Sequence, residues 1–85
     1  MVEFEYTILD KEGIHARPAG LLVKTAAAFN SKITAENKGK TADLKSIFAV
    51  MSLAAKYGEK LVVRTEGDDE AEAAEEIKRV LKENL

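Results

Sequence analysis

The sequence of 85 residues contains no cysteine, and it contains only one histidine. Without cysteine the chain cannot form disulfides, and it has no thiolate for nucleophilic catalysis or for metal binding. No pattern indicates a serine hydrolase triad. A metal centre is not predicted either, because one histidine and scattered carboxylates lack the sequence spacing of a typical ligand set.

Charge of one sign is not in excess: 13 basic residues stand against 15 acidic ones, for a net charge of −2. Nucleic acid is therefore not expected as a main partner, because proteins that bind phosphate backbones usually carry a basic surplus. No apolar run approaches the length that spans a bilayer, and the acidic, alternating N-terminal residues do not resemble a signal peptide. We expect a cytoplasmic protein without membrane insertion, with a single domain over residues 1–85.

Hydrophobic periodicity predicts seven secondary-structure elements. Alternation of apolar and polar residues indicates strands over residues 2–8, 32–36, 40–44 and 60–65. Apolar residues spaced by three and four indicate helices over residues 16–29, 47–55 and 70–84. The apolar faces are buried most economically when three helices cover one face of a four-stranded, mainly antiparallel sheet. The predicted fold is thus an α+β open-faced sandwich with the order βαββαβα.

Helical spacing also predicts which side chains are buried. On the first helix the apolar face consists of Leu21, Leu22, Thr25, Ala26 and Phe29. On the second helix, one face is expected to pack on the sheet and consists of Val50, Leu53 and Ala54. The other face consists of Phe48, Met51 and Ala55. The buried stripe of the last helix consists of Ala73, Ala74, Ile77, Val80 and Leu81. A turn at Gly67-Asp68-Asp69 is expected to cap this last helix.

The only histidine lies in the segment Gly13-Ile14-His15-Ala16-Arg17-Pro18, immediately before the predicted start of the first helix. The first amide groups of a helix have no intrahelical partner, and the helix dipole places partial positive charge there. Arg17 adds a guanidinium whose donors match phosphate oxygens, and Pro18 suits a first turn that needs no N–H donor. This pattern favours a nucleophilic imidazole that handles a phosphoryl group or another oxyanion.

Ser46 precedes the second predicted helix in the manner of an N-cap. Its hydroxyl can accept a hydrogen bond from an early N–H group of that helix. A capping serine is a common structural feature, so this position alone does not indicate a function.

Two motifs in the same order and spacing resemble the HPr family, the histidine-containing phosphocarriers of the bacterial phosphoenolpyruvate:sugar phosphotransferase system. The first is the segment Gly13-Ile14-His15-Ala16-Arg17-Pro18-Ala19. The second is Gly39-Lys40 followed by Leu44-Lys45-Ser46-Ile47-Phe48 and Met51-Ser52-Leu53, which is similar to the regulatory-serine segment of the family. The turn Glu66-Gly67-Asp68-Asp69-Glu70 is also similar, and the resemblance covers essentially the whole chain.

The resemblance implies a stoichiometric phosphoryl carrier that needs no cofactor and is not an enzyme. His15 would accept a phosphoryl group on Nδ1 from phosphorylated enzyme I and pass it to a sugar-specific EIIA domain. Arg17 would stabilise the transferred group, and Pro18 would set the geometry of the helix start. A monomer suits a protein that moves between partners.

The resemblance also implies regulation and a docking surface. Ser46 matches the position that HPr kinase/phosphorylase modifies in many Gram-positive bacteria, which would weaken phosphoryl acceptance and favour the catabolite control protein as partner. The implied partner-binding residues form an apolar patch with two basic residues at its rim. The patch consists of Ala16, Gly20, Leu21, Ile47, Phe48 and Met51, and the rim consists of Lys24 and Lys45.

Three positions depart from the family pattern. Glu12 replaces a small polar residue and could repel a phosphoryl group on His15, Ala54 stands where glycine is common, and Gly20 lies inside a helix.

Three alternative functions stay open. The chain could be a regulatory paralogue that acts through Ser46, although such paralogues typically lack the histidine. It could belong to the nitrogen-related branch of the relay, or be a redesigned scaffold that keeps the fold without a native partner.

Overall fold

The computed structural model describes all 85 residues, and its seven elements follow the predicted order. The strands are β1 (Val2–Thr7), β2 (Lys32–Asn37), β3 (Lys40–Asp43) and β4 (Lys60–Glu66). The helices are α1 (Ala16–Ala27), α2 (Ile47–Ser52) and α3 (Glu70–Asn84). No helix combines the length and the apolar character needed to cross a membrane.

All four strands lie in one antiparallel sheet with the order β1-β4-β2-β3. The two central strands place Ala35 opposite Val63, and both side chains are buried. Strands β2 and β3 form a tight hairpin, in which Lys38 and Gly39 both have positive φ, of 50° and 83°. Two central residues of this kind are typical of a turn that matches the twist of the strands.

The core lies between the sheet and the helices. Helix α3 packs on β1 and β4, α2 packs on β3, and α1 packs on both other helices. The predicted stripe of α3 is confirmed, since its five members are all buried. In α1, Leu22 and Ala26 are buried as predicted, whereas Leu21 is exposed because it lies beside the strip that faces the core.

The predicted extent of α2 is wrong, and so are the predicted orientations of two alanines. The helix ends at Ser52, Leu53 caps it, and Ala54 then adopts a left-handed conformation with φ of 51°. Because the chain turns at Ala54, helical spacing no longer applies beyond it. Ala55 is therefore buried and Ala54 exposed, the reverse of the expectation.

Asp69 occupies the N-cap position of α3, but its side chain makes no capping hydrogen bond. Its carboxylate instead accepts hydrogen bonds from the Asn30 and Ser31 amides, both at 2.9 Å, and from the Ser31 hydroxyl. The bond from the Ser31 hydroxyl, with those from the two amides, lowers the pKa of Asp69 below its ordinary value. Asp69 thus ties the loop after α1 to the loop before α3.

Candidate functional site

The backbone before α1 places His15 by a close approach to another loop. Gly13 has a φ of 70°, and a Cβ atom there would lie 2.4 Å from the Ala55 carbonyl oxygen. The next amide, of Ile14, donates to that same oxygen at 2.9 Å. Only glycine fits this arrangement without strain, since other residues rarely adopt such a φ. The loop after α2 therefore fixes the position of the segment that carries His15.

His15 is the N-cap residue of α1, as the sequence predicts. Its backbone is extended, with φ of −129° and ψ of −179°, and its side chain makes no capping hydrogen bond. The first intrahelical bond runs from the Ala19 amide to the His15 carbonyl oxygen at 3.0 Å. The amides of Ala16 and Arg17 precede that bond and point out of the helix start, where they can bind an anion. Pro18 is buried in this first turn and has no amide to satisfy.

Two carboxylates face one nitrogen of the imidazole. His15 Nε2 lies 3.5 Å from Glu12 Oε2 and 3.8 Å from Asp10 Oδ2, and the ring is 37% exposed. The other oxygen of Asp10 accepts a hydrogen bond from the Glu12 amide at 2.8 Å, which fixes the Asp10 carboxylate. Negative charge beside Nε2 favours the tautomer that carries its proton there. That tautomer leaves a lone pair on Nδ1, the nitrogen that can act as a nucleophile.

The imidazole lies in a small polar cleft whose walls come from three separate parts of the chain. Its lining residues are Asp10, His15, Arg17, Pro18, Glu83 and Asn84. The amide of Asp10 donates to the carbonyl oxygen of Leu85 at 2.9 Å, and this bond brings the end of α3 to the loop.

The sequence did not indicate Asp10, Glu83 or Asn84 as neighbours of the histidine. The pairing of the end of α3 with the loop after β1 has no local signal. Proximity along the chain drew attention to Glu12 alone, as a carboxylate near the histidine. The structure also brings Asp10, Glu12 and His15 together into a group of possible metal ligands, which the sequence spacing did not predict.

The predicted apolar patch lies on α1 and α2, which pack against each other. Four of the seven large exposed apolar side chains in the chain belong to it: Leu21, Ile47, Phe48 and Met51. Phe48 is the most exposed of these, at 82%. The remaining two members, Ala16 and Gly20, are also exposed.

The two basic residues predicted at the rim have different environments. Lys24 is exposed in the last turn of α1. The ammonium group of Lys45 donates a hydrogen bond to the carbonyl oxygen of Phe29 at 2.8 Å. This bond links the start of α2 to the end of α1. Lys45 therefore has a structural contact in addition to its charge.

Ser46 caps α2 as predicted. Its hydroxyl oxygen accepts a hydrogen bond from the Ala49 amide at 3.3 Å, and the residue is half-buried. Ile47 and Phe48 of the apolar patch follow it directly, so any group added to its hydroxyl would lie at the edge of that patch.

Comparisons with known proteins agree on one family. Residues 2–83 match the family model for the PTS HPr component phosphorylation site. A histidine-containing phosphocarrier protein of Mycoplasma is 39% identical, with a TM-score of 0.94 over 96% of this chain and 93% of that one. The phosphocarrier protein HPr of Bacillus anthracis is also 39% identical, with a TM-score of 0.87 over 94% of this chain and 95% of that one. The catabolite repression protein Crh of Bacillus subtilis, solved as a swapped dimer, is 36% identical, with a TM-score of 0.78 over 100% and 98% of the two chains.

Proposed function

The chain belongs to the HPr family of phosphocarriers, which are not enzymes, and on this premise we propose that His15 carries the phosphoryl group. It accepts the group on Nδ1 from phosphorylated enzyme I and passes it to EIIA domains for sugar uptake. The observation that carries this proposal is the position of His15. Its ring makes no capping bond, its Nε2 faces two carboxylates, and it stands beside the free amides of a helix start.

The transfer step follows from this geometry. The Nδ1 lone pair attacks the phosphorus atom held by a histidine of enzyme I, and the bond to the donor nitrogen breaks with its electron pair going to the donor ring. The His15 ring keeps its proton on Nε2 and gains positive charge, which the Asp10 and Glu12 carboxylates stabilise. Arg17 and the first amides of α1 hold the phosphoryl oxygens, since positioning and electrostatics dominate this chemistry.

The apolar patch serves as the docking surface for enzyme I and for EIIA domains. An exposed phenylalanine and methionine suit a surface that binds several partners, because methionine repacks easily. Lys24 contributes steering of acidic partners rather than tight binding. Such a carrier works as a monomer in the cytoplasm.

Ser46 regulates this docking when an HPr kinase/phosphorylase phosphorylates it. The phosphate would add between one and two negative charges at the start of α2, beside Phe48. Acceptance from enzyme I would fall, and the catabolite control protein would become the favoured partner. We expect Ser46→Asp to slow phosphoryl acceptance without unfolding the protein, whereas Ser46→Ala should keep the rate. Equal rates for both variants would contradict this regulation.

A second candidate function is that of a regulatory paralogue, and the similarity to Crh is the observation that supports it. Such a protein would act through Ser46 and would not relay phosphoryl groups. The presence of His15 with Arg17 in the cleft supports the carrier instead.

The two functions are separated by a reconstituted relay with labelled phosphoenolpyruvate, enzyme I and an EIIA domain. The carrier should acquire an acid-labile label and pass it on, whereas His15→Ala should acquire none. We expect Arg17→Ala to slow transfer by on the order of a hundredfold, as for the loss of one charge-stabilising group, while folding normally. Full labelling of His15→Ala, or no labelling of the native chain, would contradict the proposal.

A further inference from the structure

Three side chains beside the helix start bring their ligand atoms to one point. Asp10, Glu12 and His15 each offer one such atom, and all three lie within 4.8 Å of one another. The distances from His15 Nε2 to the two carboxylate oxygens, 3.5 and 3.8 Å, exceed those of hydrogen bonds. They are close to the separation of about 3.4 Å between two ligands of a tetrahedral zinc ion with bonds of about 2.1 Å. We propose that these residues bind a Zn²⁺ ion, and that the bound ion blocks phosphoryl acceptance by His15.

The chemistry of the donors favours zinc over the common hard cations. Mg²⁺ and Ca²⁺ take oxygen ligands, whereas an imidazole nitrogen suits zinc. One imidazole and two carboxylates make three protein ligands, and water can fill the fourth position because the cluster is open to solvent. The two negative charges of Asp10 and Glu12 balance the charge of a divalent ion.

One of the three ligands is already held in place, and the backbone that carries a second is anchored. The hydrogen bond from the Glu12 amide fixes the Asp10 carboxylate, and the Ile14 amide anchors the segment before His15 to the Ala55 carbonyl oxygen. Glu12 is the most exposed of the three, so its side chain can adjust by the few tenths of an ångström that the ion requires. Binding therefore needs little rearrangement.

The ion would change which nitrogen of His15 is free. Zn²⁺ takes the lone pair of Nε2, and the proton that Nε2 carried moves through water to Nδ1. A protonated Nδ1 has no lone pair with which to attack phosphorus. The ring gains no phosphoryl group until the ion leaves and the proton returns to Nε2. The inhibition of phosphoryl acceptance rests on the proposed function, whereas the binding of the ion does not.

Binding is tested by titrating the protein with ZnCl₂ in a phosphate-free buffer, with calorimetry for affinity and long-range ¹H–¹⁵N NMR for the tautomer of His15. We expect one ion per chain and a shift of the ring proton to Nδ1. Glu12→Gln should weaken binding about tenfold or more. Glu75→Gln removes a carboxylate from the exposed face of α3 and should leave the affinity unchanged. No saturable binding, or equal affinities for the native chain and Glu12→Gln, would overturn the site.

Inhibition is tested by the initial rate of phosphorylation by enzyme I at increasing Zn²⁺ concentration. Each rate is divided by the rate of the same protein without zinc, because Glu12→Gln itself slows acceptance, and on that scale the native chain should lose activity at zinc concentrations that Glu12→Gln tolerates. Equal loss for both proteins would place the effect on enzyme I and overturn the inhibition. A chain that binds zinc but accepts no phosphoryl group even without zinc would contradict the proposed function and leave the metal site standing.

Discussion

At the scale of single residues, Gly13 determines where the histidine lies. Its positive φ and its contact with the Ala55 carbonyl oxygen leave no room for a side chain. We expect Gly13→Ala to lower the free energy of unfolding by about 2 kcal/mol or more, because it adds a steric clash to an unfavourable backbone conformation. Denaturant unfolding measures this change.

Gly39→Ala is the matched control for that experiment. Gly39 also has positive φ, but the space around it is open. Its substitution should therefore lower the free energy of unfolding by only about 1 kcal/mol, the strain of a left-handed alanine less the backbone freedom that the unfolded chain no longer has. If Gly13→Ala cost no more than Gly39→Ala, the contact with the loop after α2 would not hold the site.

Ala54 has an unfavourable backbone conformation. Because its side chain is exposed, a substitution there changes the backbone strain without changing the packing of the core. It adopts φ of 51° directly after the cap of α2. Ala54→Gly should raise the free energy of unfolding by about 1 kcal/mol, the strain of a left-handed alanine less the extra backbone freedom of glycine when unfolded. Thermal and denaturant unfolding can both detect this. A loss of stability on this substitution would contradict the backbone conformation described for Ala54.

At the scale of the elements, the carboxylate of Asp69 joins two loops that are far apart in sequence. Its pKa is lowered in the folded protein, so the ionised form stabilises the fold above the pKa of the unfolded chain, about 3.9. That stabilisation is lost as pH falls below this value and through the lowered pKa. Asp69→Asn should therefore lower Tm at pH 7, and the difference from the native chain should shrink towards pH 2–3. A difference in Tm that stayed constant over this range would rule out the ionised carboxylate as the cause.

The pair of helices α1 and α2 presents the proposed docking surface, and Phe48 is its most exposed large side chain. Phe48→Ala should raise the KM for phosphorylation by enzyme I roughly five- to thirtyfold, equivalent to about 1–2 kcal/mol of lost contact. Stability should change by less than about 0.5 kcal/mol, because the side chain is exposed.

Tyr57→Ala provides the comparison. Tyr57 is 62% exposed but lies outside the two helices. Its loss should leave KM unchanged. If both substitutions had the same effect on KM, the surface would not be confined to α1 and α2.

The elements themselves were predictable where their signal was local. The alternation of apolar and polar residues predicted β2, in which Ile33 and Ala35 are buried. The helical spacing of apolar residues predicted α3 and its buried stripe. The end of α2 was not predicted because position 54 is an alanine, whereas a glycine at that position would indicate a left-handed turn. The role of the Asp69 side chain was missed because its partners lie 38 and 39 positions away.

At the scale of the whole molecule, the site is assembled by the fold rather than by one motif. His15 and Arg17 were predicted from the sequence because they share a short segment with a helix start, and both line the same cleft. Glu83 and Asn84 could not be predicted in that way, because only the packing of α3 against the loop after β1 brings them to the cleft.

We propose that His15 accepts the phosphoryl group on Nδ1 because Nε2 faces two carboxylates. Long-range ¹H–¹⁵N NMR of the imidazole, before and after reaction with phosphoenolpyruvate and enzyme I, tests it most directly. We expect a proton on Nε2 in both states and a phosphoryl group on Nδ1 after reaction. A phosphoryl group on Nε2, or on any residue other than His15, would contradict it.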